Sequence, residues 1–135
     1  MVSLGLVVAE FNRPLTSEME ELAQEYVDER EDIEIVDKII VPGSYDMPLA
    51  AKRLCERDDV DAVATIGVVI EGDTDHDQIV VEITADKLAD ISLEYDKPVT
   101  LGVSGPGMSA DEARARVEYA ERAVESAVEM VRRLE

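Results

Sequence analysis

The single histidine of the chain, His76, stands in the run Glu71-Gly72-Asp73-Thr74-Asp75-His76-Asp77. An imidazole can give and take protons near neutral pH, which makes His76 a candidate proton-transfer group. The competing reading is a surface histidine shielded by the aspartates around it. Gly72 and Thr74, placed ahead of a helix, could offer backbone N–H groups and a hydroxyl to an anion, because a helix N-terminus favours negative charge. Asp73, Asp75 and Asp77 at alternate positions imitate the start of a calcium loop. Such a loop needs a glycine sixth and a bidentate glutamate twelfth, where this chain has Gln78 and Thr84, so calcium of that kind is excluded.

Three further segments carry chemistry. Phe11, the one phenylalanine, lies between Glu10 and Asn12, where packing does not call for an aromatic ring. It could stack on a planar ligand or fold back over the first helix. The run Val41-Pro42-Gly43-Ser44-Tyr45-Asp46-Met47-Pro48 joins a turn to a hydroxyl and a carboxylate, a set that could read a polyol or simply cap a helix. Arg116 is one of few cations near these segments and could meet an anion or form a surface ion pair. Gly105-Pro106-Gly107 reads as a rigid loop without chemistry, and Cys55, on the apolar side of a helix, reads as core packing.

These segments need elements to position them. Leu4 to Ala9, Ile33 to Val41, Ala62 to Ile70 and Val99 to Val103 are apolar, mostly β-branched runs of strand length, as expected for strands covered on both faces. Helical spacing fills the intervals: Met19, Leu22, Ala23, Tyr26 and Val27; then Leu49, Ala50, Arg53 and Leu54; then Ile83, Lys87, Leu88, Ile91 and Leu93. A last helix, opened by a Ser109/Glu112 capping box, carries a stripe from Ala113 to Leu134 and is expected to run to the C-terminus unbroken. Strands alternating with helices imply right-handed crossovers. The expected fold is therefore α/β: one domain over residues 1–135, a four-stranded parallel sheet of flavodoxin-like order with helices on both faces. In such a sheet the loops Glu10 to Leu15, Pro42 to Met47, Glu71 to Gln78 and Ser104 to Ser109 meet at one edge, where ligands bind.

Composition limits the partners. The chain has 135 residues, 46% of them apolar, enough for one core. Thirteen Lys and Arg against 32 Asp and Glu leave a net charge of −19, which repels nucleic acid and anionic membranes. It also slows an anionic substrate unless a local cation or salt offsets it. The acid is spread along the chain, as on a solvated surface, either one adapted to high ionic strength or the acidic surface of a mesophilic protein. One cysteine allows no internal disulfide and suits a reducing cytoplasm; Val2 to Ala9 lacks a basic flank and runs into Glu10, so it reads as a strand and not as a signal peptide.

Ala9-Glu10-Phe11-Asn12, Val41 to Ala50, Ile66 to His76 and Lys97-Pro98-Val99-Thr100-Leu101-Gly102, in that order and spacing along nearly the whole chain, resemble the archaeal type of the 6,7-dimethyl-8-ribityllumazine synthase family. The resemblance implies condensation of 5-amino-6-ribitylaminouracil with 3,4-dihydroxy-2-butanone 4-phosphate in riboflavin synthesis, with loss of phosphate and water and with neither cofactor nor metal. It implies that His76 transfers protons and that Phe11 stacks on the pyrimidine. Asn12, Gly43, Ser44, Tyr45 and Asp46 would bind the uracil and its ribityl chain, Asp46 standing where many members have Glu. Val68, Val69, Ile70 and Leu101 would line the ring pocket, with Leu101 where many members have an aromatic.

For the phosphate, the resemblance implies Gly72, Asp73, Thr74 and Arg116, the last from a neighbouring subunit. Asp73 replaces a small residue, so only its backbone N–H is expected to serve. A one-residue insertion across Gly105-Pro106-Gly107 leaves Arg114 and Arg122 as competitors of Arg116. Pentamers with shared sites are implied, and in many members a shell of sixty chains. The rival readings are an archaeal riboflavin synthase, whose loops differ from the Gly72 to His76 signature, and a non-catalytic shell that binds flavin-like ligands.

Overall fold

Val2–Ala9 (β1), Ile33–Val41 (β2) and Ala62–Ile70 (β3) are strands, as their β-branched runs require. The computed structural model describes residues 1–73 and 75–135, and Thr74 lies outside them. Leu15–Asp28 (α1) follows the first strand, Met47–Cys55 (α2) follows the second after a one-turn 3-10 helix at Ser44–Asp46, and Asp77–Tyr95 (α3) follows the third. Val99–Thr100 (β4), Val103–Met108 (β5), Ala110–Arg114 (α4) and Tyr119–Arg133 (α5) complete the order. Every strand pair is parallel, in the order β2-β1-β3-β4, with β5 also on β3. This is the expected flavodoxin-like arrangement.

Alternation along the strands divides the interior between two helical layers. Leu4, Leu6 and Val8 of β1 and Ala64, Ile66 and Val68 of β3 pack with Met19, Ala23 and Val27 of α1 and Val124 and Ala127 of α5. Val7, Ala9 and Val63 face the opposite way, onto Met47 and Leu54 of α2 and Leu88 and Ile91 of α3. Cys55 belongs to this second core, and burial pushes its thiol up from the usual range against a smaller pull from Lys97. It is a packing residue, as expected.

The sequence reading needs three corrections. β2 is an edge strand whose middle is only half-buried, and it carries Glu34, Asp37 and Lys38, charges that discourage further strand pairing. The expected fourth strand, Val99 to Val103, is two strands set end to end along one side of β3: Val63 and Ala64 face Val99 and Thr100, while Gly67 and Val68 face Val103 and Ser104. The expected Ser104 to Ser109 loop is thus mostly strand.

Thr65 explains the break between β4 and β5. Its hydroxyl donates to the Thr100 carbonyl at 2.7 Å and accepts from the buried Gly102 N–H at 3.1 Å, replacing ladder bonds with side-chain ones. Gly102 lies so close that a Cβ there would sit 2.0 Å from the Thr65 carbonyl oxygen, so only glycine fits.

The last helix is the third correction. The Ser109/Glu112 capping box forms, but α4 ends at Arg114 and α5 starts at Tyr119. Between them Arg116 N–H bonds Ala113, Tyr119 N–H bonds Arg116 and Ala120 N–H bonds Val117, three-residue steps that tighten the turn. Ala113 and Ala120 stay buried on the same side through this tight turn, which is why the apolar stripe reads as continuous.

Thr65→Val keeps the side-chain shape and removes both hydrogen bonds, leaving the Gly102 N–H buried without that partner. The expected loss is about 1–3 kcal/mol of stability by urea denaturation. An unchanged midpoint would separate the strand break from the Thr65 hydroxyl.

Candidate active site

Parallel topology brings the loops after β1, β2 and β3 to the carboxyl edge of the sheet, and backbone bonds lock the first two together. Glu10 N–H donates to the Val41 carbonyl at 2.8 Å and Phe11 N–H to that of Pro42 at 3.0 Å. The third loop is tied in by Asn12, whose Nδ2 donates to the Val68 carbonyl and to Asp73 Oδ2, both at 2.7 Å. A cavity of about 180 Å³ opens among these loops, lined by residues of all three and of α3, with Phe11, Ser44, Val69 and Asp73 at its walls.

The structure places the expected residues unevenly. Phe11, Gly43, Ser44, Tyr45, Val68, Val69 and Asp73 line the cavity. Phe11 is 52% exposed, which leaves aromatic surface available to a planar ligand. Asp46 holds the turn from behind: its Oδ2 accepts from Gly43 N–H at 3.0 Å while its own N–H donates to the Gly43 carbonyl at 3.0 Å. Ile70 is half-buried beside the α1 and α5 core and is not among the lining residues. Asn12 also stands off the lining, with both amide hydrogens engaged in the bonds above.

The β3–α3 loop carries the rest of the candidate chemistry. Gly72 adopts φ +88°, a left-handed conformation that favours glycine. The Asp73 N–H, expected to meet phosphate, donates instead to the Ile70 carbonyl at 3.1 Å. His76 is exposed at the N-cap of α3, immediately before Asp77, which lines the cavity. Its carbonyl accepts from Val80 N–H at 2.9 Å and closes the first helical turn. His76 therefore sits at the start of the helix whose first turns wall the cavity, beside the lining residues and not one of them.

Leu101 and the arginines lie elsewhere. Leu101 lines a separate recess of about 350 Å³ with Gly102, Tyr119 and Arg122. Arg122 stacks over the Tyr119 ring at 5.2 Å. Arg116, in the tight turn between α4 and α5, reaches Met108 Sδ at 3.8 Å and Glu112 at 3.8 Å, while Arg114 pairs with Asp111 at 2.8 Å. The charged residues on the smaller cavity's lining are Asp73 and Asp77, with no cation among them.

Sequence reasoning missed three contributors on α3. Asp77 and Val80 line the cavity, and Thr84, whose hydroxyl donates to the Val80 carbonyl at 2.6 Å, lies buried against the Ser44 turn with its Oγ1 3.2 Å from the Ser44 carbonyl. Their spacing of three and four residues was the available signal, since a helix that starts at the ligand edge turns one face of its first turns toward the ligand. No group of three or more potential metal ligands occurs among the described residues.

Comparison with known proteins identifies the family. The family model for 6,7-dimethyl-8-ribityllumazine synthase matches residues 1–135. A 6,7-dimethyl-8-ribityllumazine synthase of Methanosarcina barkeri is 60% identical over 133 residues, 98% of each chain. That of Methanocaldococcus jannaschii is 60% identical over 134 residues, 99% of this chain and 94% of the other. That of Methanoculleus marisnigri is 60% identical over 134 residues, 99% of this chain and 98% of the other. With a match along its whole length, the chain belongs to the 6,7-dimethyl-8-ribityllumazine synthase family.

Proposed function

We propose that residues 1–135 act as one synthase domain that joins 5-amino-6-ribitylaminouracil to 3,4-dihydroxy-2-butanone 4-phosphate, forming 6,7-dimethyl-8-ribityllumazine. The observation that carries the reading is the convergence of an exposed Phe11, the Ser44 turn and the start of α3 with His76 at one sheet edge. Phe11 supplies a stacking face for the pyrimidine. The turn from Gly43 to Asp46 offers backbone groups to the ribityl chain, and Val68 and Val69 give the ring an apolar wall.

The chemistry is condensation without a redox step. The uracil amine attacks the ketone, and loss of water gives an imine. A proton leaves the adjacent carbon as the C–O bond to phosphate breaks, giving an enol. The enol tautomerises to a carbonyl, and the ribityl-bearing nitrogen closes the second ring with loss of another water. Each step moves a proton between heavy atoms, the work His76 is assigned. Orientation of two bound substrates supplies much of the remaining rate.

Two features support a site shared between copies of the chain. The cavity, about 180 Å³, is below the usual range of about 300–1,000 Å³ for a small-molecule site, and it offers phosphate no cation of its own. Arg116 and Leu101 lie outside it, so the reading assigns them to the site of an adjacent subunit in a pentamer, with a closed shell as the larger form. Leu49, Ile79 and Leu93 are exposed, a pattern that further copies would cover. The reading keeps the reducing cytoplasm as the setting; no helix among the described residues is long and apolar enough to cross a membrane.

A charge of −19 per chain makes repulsion grow with every copy added, and the reading takes the acidic surface as an adaptation to high salt, where screening falls to about 3 Å at 1 M. Sedimentation is expected to shift toward larger assemblies from dilute buffer to molar KCl, and an unchanged profile would contradict this. The activity is tested by mixing both substrates at high KCl and following lumazine fluorescence with phosphate release. Both signals are expected together, with kcat reduced roughly 10²-fold in His76→Ala and little change in substrate binding. An unchanged kcat would remove His76 from the mechanism, and riboflavin formed from added lumazine, with no condensation, would favour the rival synthase.

A further inference from the structure

We propose that Asp73 is a positioning residue: its carboxylate clasps the β1–α1 loop to the β3–α3 loop through Asn12, holding Phe11 in register with the turn that leads to His76. The inference deepens the functional reading above and rests on it. One oxygen, Asp73 Oδ2, accepts from Asn12 Nδ2 at 2.7 Å and from Ile70 N–H at 2.9 Å. The same Nδ2 donates to the Val68 carbonyl at 2.7 Å. Two loops and the end of β3 are thereby joined at a single amide and a single carboxylate, both only partly exposed, where a bond to an ionised acceptor is stronger than a neutral one.

The backbone at Asn12 points the same way. Its φ is +73°, a conformation that a non-glycine residue holds at a cost, and it stands between Phe11 and the first turn of α1, whose Leu15 N–H bonds the Asn12 carbonyl at 3.0 Å. Asparagine tolerates this region better than most residues, and its side chain here is fixed at both hydrogens. Strain at the residue after the stacking ring, secured by a carboxylate from the opposite loop, sets where that ring stands. The clasp also answers why an acid occupies a turn assigned to phosphate. Two N–H groups face the Asp73 Oδ2, and replacing the carboxylate by a small side chain to favour the anion would remove the acceptor and release the ring loop.

The test compares the full-length protein with Asp73→Ala, Asp73→Asn and Asn12→Gly at high KCl. Asparagine at position 73 keeps an acceptor oxygen, and glycine at position 12 keeps the backbone conformation while deleting the amide. In steady-state assays Asp73→Ala and Asn12→Gly are each expected to lower kcat/KM for the uracil roughly tenfold, the loss of about one buried hydrogen bond. The double variant should be no worse than either alone, and Asp73→Asn should recover most of the loss. Amide hydrogen exchange over 10–15 and 68–73 reads the clasp without turnover: Asp73→Ala should speed both segments together, and Asp73→Asn should restore both. Asp73→Ala with full activity, additive losses in the double variant, Asp73→Asn as impaired as Asp73→Ala, or faster exchange in 68–73 alone would each overturn the proposal. Wild-type protein that forms no lumazine would sink the functional reading, while the exchange data would still decide the clasp.

Discussion

The carboxyl-terminal half of β3 anchors the first and third loops of the ligand edge. It can do so because β3 is covered on both faces and buried from Ala62 to Val69, leaving its backbone little freedom to move. The Val68 carbonyl receives Asn12, the Ile70 N–H receives Asp73, and Val68 and Val69 form the cavity wall. On its other side the Thr65 hydroxyl and carbonyl accommodate the passage from β4 to β5, and Glu71 N–H reaches the Met108 carbonyl at 2.8 Å. A rigid central strand with polar loops tied to its end is how an α/β sheet holds a site steady while leaving it open to solvent.

Electrostatics set the second constraint. The chain is strongly acidic, and the charges on the cavity lining are carboxylates, although one proposed substrate is a phosphate ester. Asp73 is turned to structural use by two N–H donors, and Asp77 sits in the first turn of α3, where the helix dipole favours a negative charge. Neither supplies the cation a phosphate needs. Arg116 has one, held against Met108 and Glu112 in the turn between α4 and α5, but on a part of the chain outside the cavity. In the proposed reading a shared site would resolve this, each chain lending its arginine to the cavity of a neighbour.

Much of this was legible in the sequence. β-branched runs separated by helical stripes fix the sheet and its active edge, and the placement of Phe11, Ser44 and His76 follows from parallel topology. What could not be read depends on contacts between distant residues. Thr65 reaches Thr100 across 35 positions, and no local pattern announces that its hydroxyl will replace ladder bonds and split a strand. The step between α4 and α5 was hidden because three-residue and four-residue spacing keep the same face inward. The bond from Asn12 to Asp73 spans 61 positions, so nothing local announces that these two side chains join the loops.

The central claim is that catalysis needs His76 from one chain and Arg116 from the next, and mixed assemblies test it most directly. His76→Ala and Arg116→Ala proteins, each deficient alone, would be unfolded together in equal amounts, reassembled at high KCl and assayed for lumazine. Random mixing then rebuilds intact sites at about one position in four, so the account predicts recovery of about a quarter of wild-type activity. Activity no higher than the mean of the two separate variants would place both groups in one chain's site, or remove one of them from it, and would contradict the account.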